Sequence, residues 1–133
     1  MFKVMALTFV KVKIFNPANP KKSAVVNFLV DSGAVYSVVP QEILRKIGIR
    51  SHSKETFTLA NGEFIERERG DAIFDYKGKR GASPVIFGEI GDSQLLGAVS
   101  LEALGLMLDP LRREIRSLPM VLGRVSRVGV NRV

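Results

Sequence analysis

The sequence predicts a mostly β domain with one or two short helices. Three observations carry that expectation: apolar and basic side chains alternate over Val10-Lys11-Val12-Lys13-Ile14, an Asn61-Gly62 pair sits between two strand-like runs, and helix signals are confined to short stretches. In 133 residues, 46% apolar and 25% charged, there is enough apolar material for one core and one domain. A body of that size has a radius of gyration of roughly 14 Å. That leaves little room for a deep cleft between two internal lobes, so a large active site calls for a second subunit.

Taken in order, residues from Phe2 to Phe15 favour a strand, and the alternation over Val10 to Ile14 puts lysines on one face and apolar groups on the other. Asn16-Pro17-Ala18-Asn19-Pro20 cannot continue a ladder, because each proline lacks a donor and each asparagine favours turns; the chain is expected to return as Ser23 to Val30. After a second apolar run, Val35 to Val39, the stretch Pro40 to Gly48 has proline in its first turn, an acid near its start, bases near its end and a terminal glycine. It reads as one short helix, with Ile43, Leu44 and Ile47 on a single stripe. Thr56 to Leu59 and Phe64 to Arg69 flank the Asn61-Gly62 turn, and Ala72 to Tyr76 and Ala82 to Phe87 repeat the design around Lys77-Gly78-Lys79. A second short helix spans Ser100 to Leu104, closed by Gly105, and a last strand is expected from Glu114 to Leu122. The domain is bounded at 1–123, leaving 124–133 as a basic C-terminal tail.

Composition excludes several chemistries. With no cysteine and a single histidine, His52, there is neither a disulfide framework nor a zinc site of Cys and His ligands, and no metal or cofactor is expected. Apolar stretches fall well short of the ~20 residues of a membrane helix, and Lys3 is followed by mixed apolar and basic residues rather than a cleavable signal pattern, so the expected setting is cytoplasmic. The net charge of +7 is unevenly spread: residues 1–30 hold five lysines and no acid, residues 31–111 nine bases and twelve acids, and residues 112–133 six arginines and one acid. No aromatic residue is interleaved with the basic ones after Phe87, as a base-stacking surface would require. The basic ends therefore read as solvated, and nucleic acid as an unlikely partner.

The informative segment is Phe28-Leu29-Val30-Asp31-Ser32-Gly33-Ala34, where an acid ends an apolar strand and a hydroxyl, a glycine and a small residue follow at once. A carboxylate at the edge of buried β structure costs several kcal/mol unless hydrogen bonds or a shared proton compensate it. By itself Asp-Ser-Gly reads equally well as turn chemistry. Two further motifs stand in order behind it, the Asn61-Gly62 hairpin and Leu95-Leu96-Gly97 before a short helix.

In these three motifs, over about residues 8 to 118, the chain resembles the retropepsin-like aspartic proteases, the single-domain relatives of pepsin. It is most similar to their small archaeal and bacterial members, which share the sense of Leu59-Ala60-Asn61-Gly62 and of Leu95 through Leu101-Glu102 to Asp109-Pro110. The resemblance implies a closed-barrel-like homodimer. It implies an aspartic endopeptidase without cofactor, acting on a peptide or polypeptide in extended conformation. Asp31 would be catalytic, paired with its mate from the second chain; the sequence offers one candidate per chain, since Asp92-Ser93-Gln94 lacks the glycine and lies in a polar stretch. Ser32 would bond across the dimer axis, Gly33 would approach the substrate backbone, and Ala34 would leave space beside it. Ala60, Asn61, Gly62 and Glu63 would form a flap closing over the substrate, and Leu95, Leu96 and Gly97 the structural motif beside the site. Departures from the viral pattern are the single flap glycine, the longer helix-bearing segment Pro40 to Lys54, and a C-terminus running past the last strand. The alternative is a non-catalytic dimeric binding module of the same fold, whose basic termini engage an acidic partner or nucleic acid.

Other signals are weaker. His52 lies in the polar run Ser51-His52-Ser53-Lys54 and reads as an exposed loop histidine; no motif supplies partners for a Ser/His/Asp triad. Arg69-Gly70-Asp71 reads as turn chemistry, and Lys77-Gly78-Lys79-Arg80-Gly81 as a solvated hairpin tip without the spacing of a phosphate loop.

Overall fold

The computed structural model describes residues 7–119. The elements are β1 (Phe9–Asn16), β2 (Asn19–Val30), β3 (Ser37–Pro40), α1 (Gln41–Lys46), β4 (Ser53–Thr58), β5 (Phe64–Tyr76), β6 (Lys79–Gly88), β7 (Leu95–Leu96), α2 (Ala98–Ala103), β8 (Leu106–Asp109) and β9 (Glu114–Ser117). The chain is mostly β with two short helices, as expected. Residues 1–6, the tail 124–133 and the end of the expected last strand lie outside the described residues.

Seven strands join in the order β1-β2-β7-β3-β6-β5-β4, and β1 pairs additionally with β5 over Lys13 to Phe15. The succession of pairings therefore returns to the strand where it began. The alternation read in β1 places Val12 and Ile14 in the core, and β2 adds Val26, opposite Val12, and Phe28, opposite Val10. The ring of Phe28 lies 6.0 Å from that of Phe74 on β5, and Leu44 of α1 closes the core together with Ile47 just past the helix end. Among the described residues no helix is long and apolar enough to cross a membrane.

Several expectations are corrected in detail. The β1–β2 turn is confined to Pro17 and Ala18, where the Asn16 side chain accepts from the Ala18 amide; β2 starts at Asn19, and a register shift absorbs Pro20 to Lys22 before Ser23 pairs with Phe15. The second helix, expected over Ser100 to Leu104, spans Ala98–Ala103 and starts directly after Gly97, while the loop after Asp31 takes Val35 and Tyr36 so that β3 starts at Ser37. Arg69-Gly70-Asp71 is not a turn. It lies inside β5, a strand of 13 residues that serves both hairpins. Gly70 is there because space is short: a β-carbon on it would lie 2.8 Å from the Arg50 carbonyl oxygen and 3.0 Å from the Phe87 ring. The hairpin tip expected around Lys77-Gly78-Lys79 is present but shorter, a two-residue turn at Lys77-Gly78 with φ of 50° and 85°, and β6 already starts at Lys79.

Candidate active site

Asp31 is the first residue beyond β2, and its backbone is fixed from both sides. The strand pairs in parallel with β7, Leu29 opposite Leu95 and Val30 opposite Leu96, and the Asp31 amide donates to the Leu96 carbonyl at 3.0 Å. A turn follows, closed by the Ala34 amide donating to the Asp31 carbonyl at 3.1 Å. Within it the Gly33 amide donates to Asp31 Oδ1 at 2.9 Å. A side chain on Gly33 would begin 3.2 Å from that oxygen, so a glycine gives the amide its close approach. Oδ2 has no hydrogen-bond partner among the described residues. Asp31 and Ala34 are half-buried, Ser32 and Gly33 exposed.

Leu95, Leu96 and Gly97 lie against this loop. The amides of Ala98 and Val99 donate to the carbonyls of Ala34 and Val35, which welds the start of α2 to the chain just past the aspartate. A β-carbon on Gly97 would lie 2.6 Å from the Tyr36 carbonyl, so no larger residue fits that crossing. Behind it lies a feature that sequence reading missed, a relay of three fully buried serines. The Gly97 amide donates to Ser37 Oγ at 2.9 Å, Ser37 donates to Ser100, Ser100 bonds Ser83 at 2.7 Å, and Ser83 donates to the Pro84 carbonyl at 3.0 Å. Every buried hydroxyl has an acceptor, so the relay holds β3, β6 and α2 together without an unsatisfied group.

Ala60, Asn61, Gly62 and Glu63 are exposed at the tip joining β4 to β5. The Gly62 amide donates to the Leu59 carbonyl at 2.9 Å, the Asn61 side chain accepts from the Glu63 amide at 2.9 Å, and Gly62 takes a φ of 89°. No hydrogen bond joins this tip to Asp31 among the described residues. The hairpin's base is tied to the region past the aspartate through Arg69 of β5, which bonds Glu55 at 2.7 Å and Tyr36 Oη at 3.2 Å.

Between that hairpin, β3 and β7 lies a pocket of about 290 Å³ lined by Val38, Phe57, Ile65, Ile86 and Leu95, with Arg67 and Asp92 at its polar side. Asp92 is fully engaged as a structural residue. Its carboxylate takes Arg67 Nε at 2.7 Å and Nη2 at 3.1 Å, and also accepts from the Glu89 amide. The Arg67 bonds, helped by that amide, hold Asp92 below the usual carboxylate range against the opposing effect of burial.

The structure also gives His52 partners that no motif supplied. Nε2 lies 2.9 Å from Asp71 Oδ2 and Nδ1 lies 3.0 Å from Ser53 Oγ. About half of each ionisable side chain is in solvent, 49% for His52 and 54% for Asp71, as befits a surface network. Among the described residues no group of His, Cys, Asp and Glu could hold a metal ion.

No protein-family profile matches the chain, and neither does any curated protein sequence. Solved structures do. EIAV protease, in its complex with the inhibitor HBY-793, superposes with a TM-score of 0.58 at 18% identity, covering 92% of this chain and 99% of the other. The fold is that of the retroviral proteases. Simian foamy virus (mac) protease gives a TM-score of 0.51 at 18% identity, covering 71% of this chain and 92% of the viral one.

Proposed function

We propose that this chain is an aspartic endopeptidase, active as a homodimer in which each copy contributes Asp31. The observation that carries the reading is the placement of that carboxylate. It stands at the end of a core strand, one oxygen is held by the Gly33 amide, and β7 pins its backbone through Leu96. One such aspartate per chain supplies half of a two-carboxylate site. The likeness of fold to a viral protease, over 92% of this chain, supports the same conclusion.

Two like carboxylates within hydrogen-bond range share a single proton, so a water between them meets one base and one acid. The ionised aspartate takes a proton from the water as its oxygen adds to the scissile carbonyl, and the protonated one donates to the carbonyl oxygen. Return of a proton to the amide nitrogen then lets the C–N bond break. Ser32 is exposed beside the carboxylate, where its hydroxyl can brace the partner loop across the axis. Val35, 59% exposed in the same loop, gives that face apolar surface to cover on dimerisation. The Ala60 to Glu63 tip is read as a flap; Leu59 and Phe64 beside it are 39% and 71% exposed, which suits a cover for an extended peptide. The pocket lined by Phe57, Ile65 and Leu95 would take an apolar substrate side chain. Return of the pairings from β1 to β5 supports a closed-barrel-like body.

The test is cleavage of an unstructured polypeptide by wild type and by Asp31→Asn. Because the amide cannot act as base, turnover falls by several orders of magnitude while fold and association are unchanged. A variant retaining more than about a tenth of wild-type activity, a loss of only ~1.4 kcal/mol in barrier terms, sinks the assignment. Wild type that cleaves nothing yet dimerises points to the binding module.

A further inference from the structure

A second site is written into the opposite end of β2. A cleft of about 520 Å³ lies where the β1–β2 turn faces the segment that leaves α1, and its walls carry Lys22, Arg45, Arg50, Ser51 and Glu68. Three cations against one carboxylate leave two positive charges in excess. Glu68 is already engaged, since the Ser51 hydroxyl and the Arg45 guanidinium, the latter at 2.8 Å, hold it below the usual carboxylate range. Arg45 is also oriented from beneath by the Phe87 ring, 4.9 Å away. Lys22 and Arg50 have no hydrogen-bonded or ion-paired partner among the described residues.

The cleft has a built floor. Gly48, with φ of 81°, sits between the walls; a β-carbon there would lie 3.0 Å from Asn16 Nδ2 and 3.7 Å from Lys22 Nζ. The Lys22 ammonium is thus drawn in over the glycine, where a lysine on an open surface would extend into solvent. Asn16 Nδ2 donates to the Ile47 carbonyl at 3.0 Å and ties the two walls together. Together these groups offer ammonium and guanidinium donors, and the second hydrogen of the Asn16 amide, around one concavity.

We propose that this cleft binds a phosphate monoester. Such a group carries about −1.5 to −2 charge at neutral pH with three strong acceptor oxygens, which matches both the charge excess and the donors. A lone carboxylate would leave the excess uncompensated. A nucleic-acid strand would need a longer basic track with stacking aromatics, and none of the lining residues is aromatic. Lys22 stands nine residues before Asp31 along β2, and an extended strand advances about 3.3 Å per residue, so roughly 30 Å of strand lies between the two sites.

The experiment is an amide-shift titration of the full chain with inorganic phosphate, and in a parallel arm with a phosphoserine peptide. Saturable shifts are expected at residues 48–51 and at Asn16, Ala18, Asn19, Lys21 and Lys22. Lys22→Gln with Arg50→Gln should weaken binding by about tenfold or more, the scale of one lost charge-assisted hydrogen bond, whereas Lys77→Gln, which removes the same charge at a remote hairpin tip, should leave it unchanged. The dispersion of the same spectra reports whether each variant is folded. A peptide that binds more tightly than phosphate assigns the ligand to a modified polypeptide; equal affinities assign it to a small phosphate ester. Shifts that never saturate, or that the double variant leaves untouched, overturn the proposal. Asp31→Asn protein must titrate like wild type, so this test and the protease test fail separately.

Discussion

A methyl group on Gly97 would collide with the Tyr36 carbonyl, so Gly97→Ala must push α2 away from the loop that carries Asp31. The serine relay behind it answers to the same logic. Ser100→Ala leaves the Ser37 hydroxyl buried without its acceptor, and an unsatisfied buried polar group costs about 1 to 3 kcal/mol. The expected result is a loss of that size in urea unfolding. Activity should fall as well, since the Gly97 amide rests on Ser37 and the Asp31 amide on Leu96 beside it. An unfolding midpoint equal to that of wild type would show that the relay contributes nothing. At this scale the site was half legible. Asp31, Gly33 and Gly97 could be read because their residue types are restrictive and their order along the chain is informative. Ser37, Ser83 and Ser100 could not, because serine suits loops and cores alike and their partnership exists only once three separate elements have packed.

Elements were legible where a local rule governs them, as in the alternation of β1, the start of α1 directly after Pro40 and the hairpin tip at Lys77-Gly78. They were misread where tertiary contact overrides the local rule, as at Gly70, a turn-former by composition that close packing against Arg50 and Phe87 keeps inside a strand. The basic cleft escaped for a related reason: Lys22 belongs to the basic N-terminal block and Arg45 and Arg50 to the acid-rich middle, and only folding puts them side by side. The Arg67–Asp92 pair, which anchors the segment before β7 to β5, makes a prediction at this scale. Asp92 is held below its ordinary value, so its stabilising contribution is fully present above the unfolded carboxylate pKa of about 3.9 and is lost as pH falls through the folded-state value. Asp92→Asn should therefore lower stability at neutral pH by about 1 to 2 kcal/mol, and the gap from wild type should close as pH drops below about 4. Denaturation midpoints across that range check it. A gap that stays constant down to strong acid would mean that the charge on Asp92 plays no part.

At the scale of the whole molecule, the proposal that each chain supplies a single catalytic aspartate, Asp31, makes association part of the chemistry. A symmetric interface presents the same loop from both copies, so Asp31 should lie near its mate at the two-fold axis and each active site should be shared. Adding Asp31→Asn chains to a fixed amount of wild type draws wild-type chains into mixed dimers that hold a single ionisable carboxylate. With equal amounts and random pairing, about half of the wild-type chains remain with a wild-type partner, so about half of the activity should survive. Subunit exchange must occur for this to be seen, and a kinetically locked dimer would imitate a monomer, so the two proteins are unfolded and refolded together above the dissociation constant. Dilution supplies the complementary readout: specific activity should fall with concentration as dimers dissociate, and sedimentation should show the active species at twice the chain mass. Co-refolded mixtures that lose no activity, or an active species sedimenting as a single chain, would exclude the two-chain carboxylate pair even for a protein that cleaves peptides, because the catalytic partner of Asp31 would then have to come from the same chain.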